Sequence, residues 1–81
     1  MTEGMKKLLE LRTEAEKYDG CLTTWSKRME YPNYQAFVCL FQAKRFSERN
    51  SKALVIGAEV IKEYREREKK AIEQADLILA S

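Results

Sequence analysis

From Leu8 onward, apolar residues recur at alternating steps of three and four: Leu8, Leu11, Ala15, Tyr18, Leu22, Trp25 and Met29. This is the a/d seam of a helix built to lie against another helix, and it holds until Pro32. The phase survives Asp19-Gly20, a pair that otherwise signals a helix end. The spacing therefore predicts one long helix over about 2–30, opened by Thr2-Glu3 as capping hydroxyl and early acid. A competing reading ends the helix at Asp19, sets Gly20 in a left-handed cap and restarts a short helix at Thr23 or Thr24. A kink at Gly20 would meet both.

Tyr31-Pro32-Asn33 is the strong stop, because proline disfavours the helical basin for Tyr31 yet suits the first turn of a new helix. The next helix, about 32–46, carries Tyr34, Phe37, Val38, Leu40, Phe41 and Phe46 on a broad apolar face. It is expected to be the most buried element, plugging the end of the other two. Residues 47–51 form the second connection, where Asn50 or Ser51 is expected to cap a third helix over about 51–80. That helix has a weak seam through Leu54, Gly57, Ile61, Tyr64, Glu68, Ala71, Ala75 and Ile78, widened by Ile72 and Leu79. Gly57 costs a helix roughly 1 kcal/mol relative to alanine, and a close crossing by the aromatic helix would account for it. Glu68 is either incidental or a polar device that fixes register. The run Arg65–Lys70 is entirely charged and has to face water on nearly all sides.

The expected fold is all-α, a single domain over 1–81 in a long–short–long arrangement. Its long helices are expected to run antiparallel, with Met5, Leu8 and Leu9 beside Ile72, Ile78 and Leu79. A chain of 81 residues buries about two-thirds of its unfolded surface at best. A homodimer closing a four-helix core is therefore expected.

Fifteen basic residues against thirteen acidic give a net charge of +2, which argues against a dedicated polyanion binder. Cys21 and Cys39 are too few for a disulfide scaffold and lack C-x-x-C spacing; both are expected to be reduced, small and partly buried, with a single bridge still open. The first ten residues turn charged again too soon for a signal peptide. The apolar runs Ala36–Phe41 and Ala53–Ala58 are far below the roughly 20 residues that span a bilayer. A soluble, cytoplasmic protein is expected.

Catalytic chemistry finds little support. The chain has no histidine, no glycine-rich phosphate loop and no nucleophile elbow, and its carboxylates lie on charged helical faces. Cys39, inside Phe37-Val38-Cys39-Leu40-Phe41, is expected to be inert among apolar neighbours. The expectation is a non-enzyme without cofactor or metal. Residues 1–31 hold six basic and six acidic residues, as do 51–81, so the positive excess falls on 32–50. There Lys44, Arg45 and Arg49, followed by Lys52, form a candidate nucleic-acid patch beside Tyr31, Tyr34 and Phe46. The plainer account is that helix C-terminal turns attract basic residues. Trp25, Tyr31, Tyr34 and Phe46 are candidate protein-binding anchors, although a d position suits Trp25 equally to the core.

In length and in its all-helical, charge-rich build, the chain is similar to small phage-encoded accessory proteins, such as those of T-even phages that modulate host functions or lysis timing. The likeness carries over no site. The leading expectation is a helical protein–protein interaction module, an adaptor or inhibitor that acts by binding a protein partner. A small nucleic-acid-associated regulator is the alternative.

Overall fold

In a computed structural model, which describes residues 2–81, every regular element is helical. The elements are α1 (Glu3–Ala15), α2 (Cys21–Arg28), α3 (Tyr34–Val38) with a 3-10 turn at Cys39–Gln42, and α4 (Glu48–Leu79). Thr2 caps α1 by accepting the Met5 amide at 3.2 Å.

The first helix is not continuous. It ends at Ala15, and Gly20 adopts φ +79° as the residue from which α2 departs. The left-handed basin costs glycine little, so the heptad phase does not carry the chain through. Instead α1 and α2 fold back on each other. Leu8 and Ala15 on α1, and Cys21, Trp25 and Met29 on α2, enter one core, with Leu11, Tyr18 and Leu22 packed against it. The seam thus encodes two short apolar faces rather than one long edge. Helix α2 ends at Arg28, and in the turn after it Glu30 takes φ +61° while its amide donates to the Lys27 carbonyl at 3.0 Å.

The central helix is also shorter than expected. It stops at Gln42, and Ala43 is extended, leaving Phe46 in a connection packed on Gly4 of α1. Helix α4 starts one turn before the expected cap. Ser47 is the cap and Asn50 closes a capping box, accepting the Ser47 amide at 3.0 Å while donating from Nδ2 to the Leu40 carbonyl at 2.8 Å. One buried asparagine therefore ties the start of α4 to the 3-10 turn.

The antiparallel pairing of the outer helices does not form. Gly4 lies on Phe46, just before α4, and Glu14 pairs with Arg65 at 2.8 Å, so α1 runs in the same sense as α4. The reversal happens at Gly20, and α2 crosses α4: Gly20 and Thr24 lie by Tyr64, Trp25 lies by Gly57 and Arg28 pairs with Glu63. Met5 and Leu9 consequently sit beside Phe41 and Ala43, not beside Ile72, Ile78 and Leu79.

Core packing centres on Trp25, fully buried, with Phe37 and Phe41 edge-on to it at centroid distances of 5.3 and 5.5 Å. Each such pair is worth about 0.5–1.5 kcal/mol beyond the area it buries. The Trp25 Nε1 has no hydrogen-bond partner among the described residues. A buried donor left unpaired costs about 1–3 kcal/mol, which the ring packing has to offset. Gly57 is explained by a close approach, but of the Trp25 indole on α2 rather than of the aromatic helix.

Beyond Tyr64 the character of α4 changes. Every residue from Arg65 to Ser81 is exposed, so the last four turns of α4 project from the helical head as an arm of about 22 Å. The molecule is accordingly 54 Å in its longest dimension and 15 Å in its shortest. No helix among the described residues is long and apolar enough to cross a membrane.

Candidate functional site

Tyr64 is where head and arm join. Its hydroxyl lies 2.6 Å from the Thr24 Oγ1 and donates to the Gly20 carbonyl at 3.2 Å, clamping α4 to the turn between α1 and α2. Its ring packs on Tyr18 and receives the Arg67 guanidinium at 4.9 Å. Two ion pairs flank this joint. Arg28 on α2 grips Glu63 in a bidentate pair, one arm of which measures 2.8 Å, and Arg65 grips Glu14 at 2.8 Å. The hydrogen bond from Arg65, then that from Lys17, holds the Glu14 carboxyl below its usual range; the hydrogen bond from Arg28 does the same for Glu63.

The arm continues the buried stripe. At about 3.6 residues per turn, Ala53, Gly57, Val60, Ile61 and Tyr64 project along the face of α4 that meets α1 and α2. Ala71, Ile72, Ala75, Ile78 and Leu79 prolong that face beyond the head, with Glu68 on its midline. Ile72 is 52 % exposed, and Leu77, Ile78 and Leu79 are at least 72 % exposed. Contiguous exposed apolar surface of this kind is unusual on a soluble monomer and marks contact surfaces. At the root of the arm, Tyr18, Arg65, Glu68, Lys69, Ile72 and Glu73 line an open cleft of about 470 Å³. Tyr18 and Ile72 supply its apolar lining, and the other four residues bring charges of both signs.

The candidate anchors behave differently. Trp25 has no exposed surface in the folded chain. Tyr31 is half-buried and Tyr34 is 45 % exposed, both leaning on Phe37. Phe46 sits apart, against Gly4. The fold brings Trp25, Tyr31 and Tyr34 around one ring as core and its margin, and leaves Phe46 at the α4 entry.

Lys44, Arg45, Arg49 and Lys52 are all exposed, and none forms an ion pair among the described residues. Lys44 and Arg45 follow the 3-10 turn, while Arg49 and Lys52 lie in the opening turns of α4. That is the positive end of the helix dipole, so attraction to a C-terminal turn does not account for the latter two.

The cysteines do not share the partly buried setting expected of both. Cys21 is fully buried, and burial pushes its thiol up; Cys39 is exposed, because the 3-10 turn rotates it away from Phe37, Leu40 and Phe41. Both are unbonded. No cluster of metal-ligating side chains occurs among the described residues.

Sequence reasoning assigned Ile72, Ile78 and Leu79 to the interior of a hairpin and so missed the arm. The signal was present in Arg65–Lys70: six charged residues in a row leave a helix no dry side, which marks where the head ends. Compared with protein-family models, curated proteins and solved structures, the chain matches none.

Proposed function

We infer that the protein is a non-catalytic helical interaction module whose head holds out the α4 arm for another protein helix. One observation carries this reading: the stripe of α4 that buries Trp25 in the head runs on through Ile72, Ala75, Ile78 and Leu79 with nothing over it. Apolar side chains spaced to meet a helix, carried on a projecting helix and flanked by charge, are the material of helix-on-helix recognition. The role follows as bridging or occluding a protein partner. The clamp of Tyr64 on Gly20 and Thr24 supports it, because it fixes the direction in which the arm leaves.

A photo-crosslinking residue placed at 72, 79 or 66 in the producing cells tests the reading. Discrete protein adducts from 72 and 79, on the stripe, and none from 66, on the opposite side, are expected. Absence of adducts at 72 and 79, or equal labelling at 66, overturns it.

A second reading, contact with nucleic acid, is favoured by the unpaired cations at the positive end of α4. Binding to DNA or RNA that weakens with salt and falls on alanine substitution of Lys44, Arg45, Arg49 and Lys52 would support it. No binding at low salt, or binding unchanged by those substitutions, removes it.

A further inference from the structure

We propose that the occupant of the arm is the arm of a second copy of this chain, lying antiparallel, with the Ile78–Leu79 end of each in the Tyr18–Ile72 cleft of the other. The inference rests on the reading of α4 as a docking surface and specifies what docks there.

Charge complementarity selects the occupant. With Arg65 already paired to Glu14, the root of the arm holds Arg67, Lys69 and Lys70 against Glu66 and Glu68; beyond Lys70 its charges are Glu73 and Asp76 alone. The arm is therefore basic at its root and acidic toward its end. A parallel pair would set root on root and end on end, like against like. An antiparallel pair sets each basic root beside an acidic end, which lowers the energy of both halves together.

Side-chain register agrees. On the arm the seam shifts to a frame with Ile72 and Leu79 at a and Glu68 and Ala75 at d, and in an antiparallel pair each a position faces a d position of the partner. With Ile72 opposite Ala75 of the second copy, the twofold symmetry repeats the same contact in reverse, large against small. The same register places Leu79 opposite Glu68 and Ile78 opposite Lys69. Those line the cleft, where Tyr18 and Ile72 supply the apolar lining. Leu79 and Ile78, 82 % and 75 % exposed in the single chain, would be covered there. On the flank, Lys69 falls two residues, about 3 Å along the axis, from Asp76 of the second copy, twice per dimer. Lys69 and Asp76 stand about 10 Å apart along their own helix, so the two meet only between copies.

Sedimentation equilibrium tests this on the full chain under reducing conditions, which keep the exposed Cys39 from cross-linking copies. The wild type is expected to be a dimer in the micromolar range. Lys69→Glu alone and Asp76→Lys alone should each weaken it by on the order of tenfold. Mixing the two variants should restore wild-type affinity, because both flank pairs are then of opposite sign. Both substitutions are on exposed positions, so circular dichroism is expected to be unchanged. A wild type that stays monomeric at high micromolar concentration overturns the proposal. So does a dimer in which the mixture is no tighter than either variant. Either failure leaves the docking function standing if positions 72 and 79 still crosslink to a different protein in cells, and defeats both if they crosslink to nothing.

Discussion

The indole of Trp25 rests on the backbone of Gly57 so closely that a Cβ built on Gly57 would lie 2.6 Å from the ring Cε2. An α2 side chain thus occupies the space an α4 side chain would need, and this contact fixes how near the two helices approach. Gly57→Ala should gain roughly 1 kcal/mol of helix propensity and lose more than that, because a rigid ring held by Phe37 and Phe41 has no room to yield. A net loss of about 2 kcal/mol, lowering Tm by about 10 °C, is expected from thermal unfolding. Trp25→Phe combined with Gly57→Ala should cost less than the sum of the two, since the smaller ring vacates the contested volume. A neutral or stabilising Gly57→Ala would refute the contact.

Glu30 holds φ +61° in the turn after α2, in a basin that costs a non-glycine residue about 1–2 kcal/mol. Glu30→Gly removes that strain and adds some unfolded-chain entropy, for a net stabilisation of about 0.5–1 kcal/mol. Urea unfolding should show a higher midpoint with an unchanged slope. Gly20→Ala, at φ +79°, should move the midpoint the opposite way.

Glu63 and Glu14 are both held below the ordinary carboxylate range, first by hydrogen bonds from Arg28 and from Arg65. A carboxyl whose folded value is depressed contributes stability above its unfolded value, near the reference 4.5, and loses it as pH falls through the folded one. Glu63→Gln should therefore unfold at lower urea than the wild type at pH 7, and the gap should close as pH falls through the depressed folded value. Both pairs lie in solvent, so added salt should narrow the gap at pH 7 as well. A gap that persists in acid would mean that Glu63 acts through packing.

Thiol labelling separates the cysteines. Cys39 is exposed and should be open to a maleimide or disulfide reagent in the folded protein. Cys21 is fully buried, its thiol pushed up by that burial, and should react only when the head opens. Mass spectrometry of folded protein should find one label, at Cys39, and two after denaturation. Rapid labelling at Cys21 would place α2 outside the core.

What could be read from the chain follows from which forces are local. Helix content and the Thr2 cap depend on neighbours in sequence and appear where expected, whereas Pro32 falls between helices, after α2 ends at Arg28 and before Asn33 caps α3. The core membership of Leu8, Ala15, Trp25 and Met29 was legible too, because heptad spacing marks an apolar face whether or not the helix is continuous. Continuity was left open by the sequence, and the competing break with a left-handed Gly20 is the one that forms. Gly20 breaks the helix with support from Tyr64, forty-four residues away, whose hydroxyl bonds the Gly20 carbonyl. The same reversal makes α1 parallel to α4 and so strips the arm of its expected cover. At the candidate site, the aromatic anchors were misleading, since Trp25 satisfies its apolar demand inside the head. Exposure of Ile72, Ile78 and Leu79 is a property of topology, and their spacing alone fits a covered or an open face equally well.

The arm should also differ from the head in how its backbone exchanges with solvent. Amides within Ala53–Tyr64 are shielded by α1 and α2 and should open only with the head, at the full free energy of unfolding. Amides from Arg67 to Leu79 are held by helical hydrogen bonds on an uncovered rod. An isolated helix of so few turns is marginal in water, so these amides should exchange by local fraying, fastest toward Leu79. In dilute protein, hydrogen exchange read by mass spectrometry should show that boundary near the Tyr64 clamp. Raising the protein concentration through the micromolar range should slow exchange in the arm and leave Ala53–Tyr64 unchanged, because only the arm gains cover from a second copy. Tyr64→Phe removes the hydroxyl that ties α4 to Gly20 and Thr24 and should move the boundary toward Val60. Uniform protection along α4 in dilute protein would mean that the arm is folded back onto the head.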